Sequence, residues 1–362
     1  MVHPVLAHSA RQRYLPTMVL WCGLVGMVFS ACGPGDEQLE SVHRSDAGIA
    51  VVGSVSFDSV FTRTDSIVLE ETSSVVNIWP VASMDANGGY IVADTREDQL
   101  RVYSPVGELR NAYGPGTGRL DSLQFLARAI RLPNGKILAA SLVGHLTLIP
   151  EEDDTPNQVI STPLVRLRDV IAFDERRLLL VGLDSIPTKA LLHFWDTDTK
   201  TIVRSFFSPP DRFDAGVTST FPTVAVAKRG NRVAAAYTLS DTLIVFDTLG
   251  AELSRARIPI DPFHAPAGSL PPANGPEEQQ EVINRFTFIQ DLFWISDDRL
   301  LVQWAKGTVN GMQWGIIETD PLGNRVWGIA PTPRLIGIDG EKFIFANPAS
   351  EASNQWIIAL KR

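Results

Sequence analysis

Cysteine is nearly absent from this sequence, which has only two cysteines in 362 residues. Cys22 lies within an apolar N-terminal run, and Cys32 follows shortly after the end of that run. The rest of the chain, from Gly33 to Arg362, contains no thiol. This part can therefore form no disulfide, bind no metal through cysteine and use no cysteine nucleophile.

Histidine is also scarce, and the common catalytic motifs are missing. Four histidines follow Cys32, and they are widely spaced: His43, His145, His193 and His264. The sequence contains no G-x-S-x-G, H-E-x-x-H, Walker or C-x-x-C motif. A copper site needs several convergent histidines, which this spacing disfavours. Catalysis stays an open question, but the residues favour a binding protein over an enzyme.

Positive charge is in deficit, since the formal net charge is -9 at pH 7. A nucleic-acid partner would require a basic face, so none is expected. The acidic cluster Asp94, Glu97 and Asp98 lacks the alternating acids and central glycine of a calcium loop. We expect it to be a solvated hairpin tip, neutralised by Arg96 and Arg101. No cofactor is expected, and calcium is an option that no motif supports.

Long hydrophobic runs are absent as well, and the apolar run near the N-terminus is short. Arg11 and Arg13 precede the apolar run Met18–Phe29. Crossing a bilayer requires about 20 apolar residues, so this run is too short to span it. A basic start, a short apolar middle and small residues at the end are typical of a secretory signal peptide. An uncleaved anchor helix is the alternative.

The end of this run, Phe29-Ser30-Ala31-Cys32, resembles the lipobox of bacterial lipoproteins. The resemblance implies cleavage after Ala31 and acylation of Cys32, and several acyl chains would give a stable membrane anchor. Gly33 after the cysteine implies sorting to the outer membrane of a Gram-negative-type envelope, facing the periplasm or the cell surface. Ordinary signal cleavage, which would leave Cys32 unmodified, is the alternative.

These features divide the chain into three segments. Residues 1–31 are expected to be a lipoprotein signal peptide. Residues 32–48 are polar and acid-rich without an apolar period, which is typical of a flexible tether. Residues 49–362 are expected to form a β-propeller domain, on the evidence of the repeats that follow.

Six stretches share one design, in which a short apolar strand, a polar turn and a second apolar strand follow one another. They begin at residues 81, 128, 169, 224, 291 and 334. Their turns use Asn, Asp and Gly, which suit tight hairpins. A third strand follows each hairpin, and a weaker fourth strand follows several of them. Four strands in a repeat of about 50 residues indicate a β-propeller blade.

The number of strands predicts how the ring closes. The sixth repeat ends after its third strand, whereas two surplus segments, GSVSFDSVFT and DSIVLEET, precede the first repeat. One of them should complete the sixth blade, because an unpaired edge would promote aggregation. The sequence thus predicts an all-β, six-bladed propeller closed by an N-terminal strand. The alternative is seven blades, with the N-terminal hairpin starting its own blade.

The segment Ile91–Gly118 resembles NHL repeats. Asp94, Arg101, Val102, Tyr103 and Gly107 occupy the places of the family's D-x-x-N-x-R-I-x-V-F-x-x-x-G core. The resemblance supports a propeller fold. It implies little about activity, because propellers serve as binding modules, lyases and lactonases alike.

Charged residues of both signs fall on the expected inner strands, namely Arg128, Asp169, Asp291 and Arg334. Lactonase-type propellers line this channel with calcium-binding acids and amides, whereas here the signs are mixed. The charges either pair with one another as structural groups or orient a polar or charged ligand at the channel mouth.

The longest insertion, Asp261–Phe288, separates the fourth and fifth repeats and contains an expected short helix, Pro276–Phe286. We interpret it as a lid or a partner contact, with a solvent-exposed insertion as the alternative. Phe221 and Arg285 complete the candidate ligand-binding set. The resulting hypothesis is a lipid-anchored envelope propeller that binds an envelope protein or a glycan. A divergent propeller hydrolase or lyase with a site in the channel is the alternative.

Overall fold

In a computed structural model, the chain forms six antiparallel sheets, which together make a six-bladed β-propeller. The structure describes residues 40–44, 50–53, 56–72, 80–85, 88–120, 123–150, 156–184, 189–270, 275–308, 311–347 and 354–362. The expected signal peptide, the lipid-attachment residue Cys32 and most of the expected tether lie outside these residues. Among the described residues, no helix is long and apolar enough to cross a membrane.

The first three blades each contain four strands in simple meander order. Blade one has β4 (Pro80–Met84), β5 (Tyr90–Asp94), β6 (Gln99–Tyr103) and β7 (Leu109–Tyr113). Blade two has β8 (Leu126–Arg131), β9 (Ile137–Ser141), β10 (His145–Ile149) and β11 (Gln158–Ser161). Blade three has β12 (Leu164–Ala172), β13 (Arg177–Asp184), β14 (Leu192–Asp196) and β15 (Thr201–Phe206).

The remaining blades follow the same plan, with the first strand innermost. Blade four has β16 (Val224–Arg229), β17 (Arg232–Tyr237), β18 (Thr242–Asp247) and β19 (Glu252–Arg257). Blade five has β20 (Thr287–Ser296), β21 (Arg299–Thr308), β22 (Gly311–Thr319) and β23 (Arg325–Thr332). Blade six has β24 (Leu335–Asp339), β25 (Lys342–Ala346), β26 (Gln355–Lys361) and an N-terminal strand, β3 (Phe61–Val68).

The ring closes as the sequence predicts, because β3 pairs antiparallel with β26. Trp356 lies opposite Ile67 in this register, and Lys361 lies opposite Phe61. Trp356, Ile67 and Phe61 are all buried, so the closing pair belongs to the core. The prediction of two separate surplus strands was wrong. The first segment, GSVSFDSVFT, contains a one-turn helix, α1 (Phe57–Val60). A single strand, β3, then runs from the end of this segment into the second one, DSIVLEET.

An N-terminal hairpin extends blade five to six strands. It consists of β1 (Glu40–Arg44) and β2 (Ala50–Gly53), and β1 pairs with the outer strand β23. Glu40 lies opposite Ala330 and His43 lies opposite Trp327. The hairpin thus lies on an existing blade instead of starting a seventh one. Strand β1 falls within the range expected to be tether.

The core is divided among the gaps between blades. Six clusters of buried apolar residues lie between adjacent sheets, one for each pair of neighbouring blades. The second strands contribute to both of their neighbouring clusters. In β17, the small side chains of Ala234, Ala235 and Ala236 are fully buried and let the flanking blades approach closely.

Blade one contains a buried ion pair at the site expected to be a solvated tip. The guanidinium of Arg101 contacts Asp94 at 3.3 Å, and both side chains are fully buried. Asp94 also accepts hydrogen bonds from the backbone N–H groups of Arg96 and Glu97, while Arg101 donates to the Gln99 amide oxygen. The expectation of a solvated, self-neutralising cluster was therefore wrong for Asp94 and Arg101. The buried pair therefore stabilises the β5–β6 turn from its buried side.

Candidate functional site

One end of the propeller carries the long connections. At this end, each outer strand leads into the inner strand of the next blade, and we call it the channel-mouth face. Two connections here are larger than the others, residues 207–223 between blades three and four and residues 258–286 between blades four and five. Together they are called the aromatic cap below.

Both parts of the aromatic cap contain a helix. Helix α2 (Ala215–Thr220) begins at Asp214, whose carboxylate accepts the Val217 N–H at 2.8 Å. Helix α3 (Pro276–Asn284) begins with proline, as predicted from the sequence, whereas α2 was not predicted. The Asp214 N–H donates to the Gly268 carbonyl at 2.9 Å and so joins the two parts.

Aromatic packing holds the cap on blades three and four. One cluster of buried residues unites cap residues with the sheets, including Phe213, Val217, Val282 and Phe286. The described part of the long insertion therefore contributes residues to the core. Phe221 packs against this cluster and contacts its member Phe288, with ring centroids 5.7 Å apart.

Four charged residues from four blades meet in the central channel below this face, and we call them the charge quartet. Arg128 comes from β8, Asp169 from β12 and Asp291 from β20, whereas Arg334 directly precedes β24. The sequence predicts these residues near the axis, and the structure brings them into electrostatic contact. Strand β12 begins at Leu164 and β20 at Thr287, before the predicted starts at 169 and 291, so Asp169 and Asp291 lie in mid-strand.

Arg128 and Asp169 form the open side of the quartet. Their closest atoms, Nε and Oδ1, are 3.4 Å apart, and the side chains are 26% and 27% exposed. This contact lacks hydrogen-bond geometry, so the Nε of Arg128 has no acceptor among the described residues. Asp169 Oδ1 accepts the backbone N–H of Val170 at 2.7 Å, which fixes its orientation.

Gln303 fixes the position of Asp291 from behind. The Gln303 amide nitrogen donates to Asp291 Oδ2 and to the Leu335 carbonyl, both at 3.1 Å. Its amide oxygen accepts the Leu335 N–H. Gln303 is fully buried in β21, so it joins blades five and six while it holds the carboxylate.

Arg334 is held by an aromatic face and by charge. Its guanidinium lies over the ring of Trp314, 5.5 Å from the centroid. Its Nε is buried and has no hydrogen-bond acceptor among the described residues. No described residue therefore accepts the Nε–H of Arg334.

The electrostatics of the quartet are dominated by burial. Burial raises the pKa of the Asp291 carboxyl, and Asp169 raises it further, although Arg334 and Arg128 oppose the shift. Burial also lowers the pKa of Arg334, against the attraction of Asp291. The pairing within the quartet thus replaces only part of the hydration that these groups lose.

The remaining candidate residues lie on the cap. Arg285 is 66% exposed and approaches Glu281 at 4.0 Å, and Phe221 packs against Phe288 as described. Sequence reasoning missed Gln303 and Trp314, although a lone amide within the apolar segment LLVQWA was a usable signal. It also missed Arg166, whose guanidinium donates to the Ser219 carbonyl of α2 and links β12 to the cap. Among the described residues, no group of three or more His, Cys, Asp or Glu side chains is arranged to hold a metal ion.

Comparisons with known proteins identify the fold. No protein-family model matches the chain, and no curated protein matches it by sequence. A member of the DUF4221 family from Bacteroides vulgatus is similar, with a TM-score of 0.59 at 11% identity, covering 83% of this chain and 97% of that one. A candidate exported protein from Bacteroides fragilis has a TM-score of 0.57 at 14% identity, covering 88% and 98%. The WD40 repeats of RRP9 have a TM-score of 0.51 at 9% identity, covering 83% and 100%. At these identities the likeness concerns the propeller fold alone.

Proposed function

We propose that this chain is a lipid-anchored β-propeller of a bacterial envelope, which binds a charged or polar partner, an envelope protein or a glycan, at its channel mouth. The observation that carries the proposal is the charge quartet. Four charged side chains from four blades converge there and stay partly exposed, and the buried Nε groups of Arg128 and Arg334 have no hydrogen-bond acceptor among the described residues. Charges that served only to join blades would be expected to be dry and fully hydrogen-bonded.

The anchor part of the proposal is based on the sequence around Cys32 and fits the start of the described chain. Glu40 lies opposite Ala330, near the end of β23 that leads to Arg334 and the channel mouth. Eight residue steps separate Cys32 from Glu40, and an extended chain of that length reaches at most about 29 Å. A lipid on Cys32 would thus hold the channel-mouth face close to the bilayer. The candidate exported protein with the same fold is compatible with such a location.

Acylation is tested by metabolic labelling with an alkyne fatty acid in a Gram-negative host. We expect the wild-type protein to be labelled and to fractionate with the outer membrane. A Cys32→Ala variant should lose the label, and a Cys22→Ala variant should keep it if that residue leaves with the signal peptide. Equal labelling of wild type and Cys32→Ala would refute the anchor.

Binding is tested by capture from detergent-solubilised envelopes with the full chain as bait. We expect a specific partner or glycan to be enriched, and an Arg128→Gln/Arg334→Gln variant to lose it. The control is Arg204→Gln, because Arg204 lies on the exposed outer strand of blade three. Enrichment that the double variant leaves unchanged would refute a channel-mouth site. Calcium-dependent turnover of lactones would instead favour the hydrolase alternative.

A further inference from the structure

The charge quartet is electrically balanced, and this constrains what it can bind. Two guanidinium groups and two carboxylates share one partly dehydrated channel, and Asp291 experiences the charges of the other three. Because each of these charges is compensated by its neighbours, a bound ligand must compensate whatever it displaces. This requirement separates the ligand classes.

A simple anion fits the quartet poorly. It would be attracted by Arg128 and Arg334, but it would also be repelled by the carboxylates of Asp169 and Asp291, which act on the same group of charges. A simple cation meets the reverse problem. In either case the ligand lies close to the two quartet charges of its own sign. Like charges held together in a partly desolvated site repel each other, which is unfavourable.

A ligand that carries both charges avoids this cost. Its anionic group can pair with the positive charges of Arg128 and Arg334, whose side chains are partly exposed. Its cationic group can donate to the carboxylates of Asp169 and Asp291, which Val170 N–H and Gln303 already hold in place. Trp314 below Arg334 adds an aromatic wall beside the anion-binding arginine.

We infer that the channel mouth recognises a zwitterion, in which an ammonium group and a carboxylate or phosphate belong to the same small group. The inference rests on the proposed binding function and specifies the chemistry of its ligand. Two sources share this chemistry, a free small solute such as an amino acid and the phosphoethanolamine headgroup of a membrane lipid. The same quartet would serve either one.

The test uses the full chain in detergent and isothermal titration. The zwitterionic probes are glycine and phosphoethanolamine, and the matched single-charge probes are acetate, inorganic phosphate and ethylammonium. We expect at least one zwitterion to bind about tenfold or more tightly than each of its single-charge counterparts, a factor that corresponds to about 1.4 kcal/mol. Equal or tighter binding of acetate, phosphate or ethylammonium would overturn the inference, and so would no binding of any probe.

Two variants supply a signature that misfolding cannot imitate. Asp291→Asn should weaken zwitterion binding about tenfold, and it should strengthen phosphate binding because it removes a repulsive carboxylate. Arg334→Gln should weaken both. The control, Asp65→Asn on the exposed face of β3, should change neither. Parallel losses of both ligands in Asp291→Asn would count against a zwitterion site.

Vesicles identify the source and keep the two proposals separable. Phosphatidylethanolamine vesicles that compete with soluble phosphoethanolamine, where phosphatidylglycerol vesicles do not, would assign the site to the lipid headgroup. Competition by neither would assign it to a soluble zwitterion. If partner capture depends on the quartet while phosphate binds as well as the zwitterions do, the proposed binding function stands and the zwitterion inference fails.

Discussion

Two groups of opposite charges in this propeller differ in how completely they are satisfied. In blade one, Asp94 and Arg101 are fully buried, and their hydrogen bonds go to Gln99 and to the backbone of the β5–β6 turn. In the channel, Arg128 and Asp169 are each about a quarter exposed, and their contact lacks hydrogen-bond geometry. The first arrangement is closed to solvent and the second is open to it. The comparison teaches that hydrogen-bond completeness, and not charge, distinguishes a pair buried in the fold from a pair that solvent can reach.

The largest effect is expected where the closed pair is broken. Arg101→Met leaves Asp94 buried without its counter-ion and should lower the free energy of unfolding by about 3–5 kcal/mol. Urea denaturation followed by tryptophan fluorescence measures this change. The matched control is Arg110→Met in the same blade, where Arg110 and Glu108 are both mostly exposed and 3.7 Å apart. That variant should lose at most about 1 kcal/mol, and equal losses would show that burial does not matter here.

An intermediate effect is expected at the residue that supports the open group. Gln303→Leu removes the partner of Asp291 and leaves the N–H and carbonyl of Leu335 unsatisfied in the core. The expected loss is about 1–3 kcal/mol in the free energy of unfolding, together with weaker ligand binding. Gln158→Leu, on the exposed edge of blade two, is the control. A stability change no larger than that of the control would contradict the bridging role.

A pH dependence sharpens the contrast further. Burial raises the pKa of Asp291 in the folded protein, so the folded state binds more protons than the unfolded state above the usual carboxyl range. Asp291 therefore makes the protein less stable as the pH rises through that window. The stability of Asp291→Asn, relative to that of the wild type, should therefore increase as the pH rises from 4 to 7. Urea midpoints of both proteins, measured across that range, test this. A gain that is independent of pH, or one that shrinks toward pH 7, would contradict the raised pKa.

The smallest stability effect is expected at the open pair itself. Arg128→Gln removes a partly exposed ion pair of poor geometry and should change the free energy of unfolding by less than about 1 kcal/mol. The same variant should lose ligand binding. Thermal denaturation and titration calorimetry on one sample give both values. A loss as large as that of Arg101→Met would place the two pairs in the same structural class.

Much of the fold could be predicted from the sequence, because a propeller repeats one local pattern. Each hairpin encodes its own turn and its own buried second strand, so six similar segments identify six blades. The N-terminal elements were harder. In β3 only Phe61 and Ile67 are buried, so this edge strand has a weak apolar period. Its partner, β26, lies at the other end of the chain, and local patterns do not report such long-range pairing.

The candidate site was predictable only in part. The four charges could be assigned to the axis, since position within a blade determines distance from the channel. Their hydrogen-bond completeness could not be predicted, because Gln303 and Trp314 reach the quartet from other strands of blade five. For the same reason, the burial of Asp94 and Arg101 was missed. In the sequence, an acid and a base at the two sides of a hairpin turn look the same whether their side chains face solvent or each other.

The pairing of β3 with β26 also sets the order of events in biosynthesis. The Thr64 hydroxyl donates to the Ile358 carbonyl, and these residues are 294 positions apart in the sequence. Five blades can assemble in turn as the chain becomes available, but the sixth has to wait for β26. Contacts between such distant residues form slowly and leave sheet edges uncovered in the meantime. A chain truncated before Gln355 would lack the strand that joins the two ends and would expose both edges to other molecules.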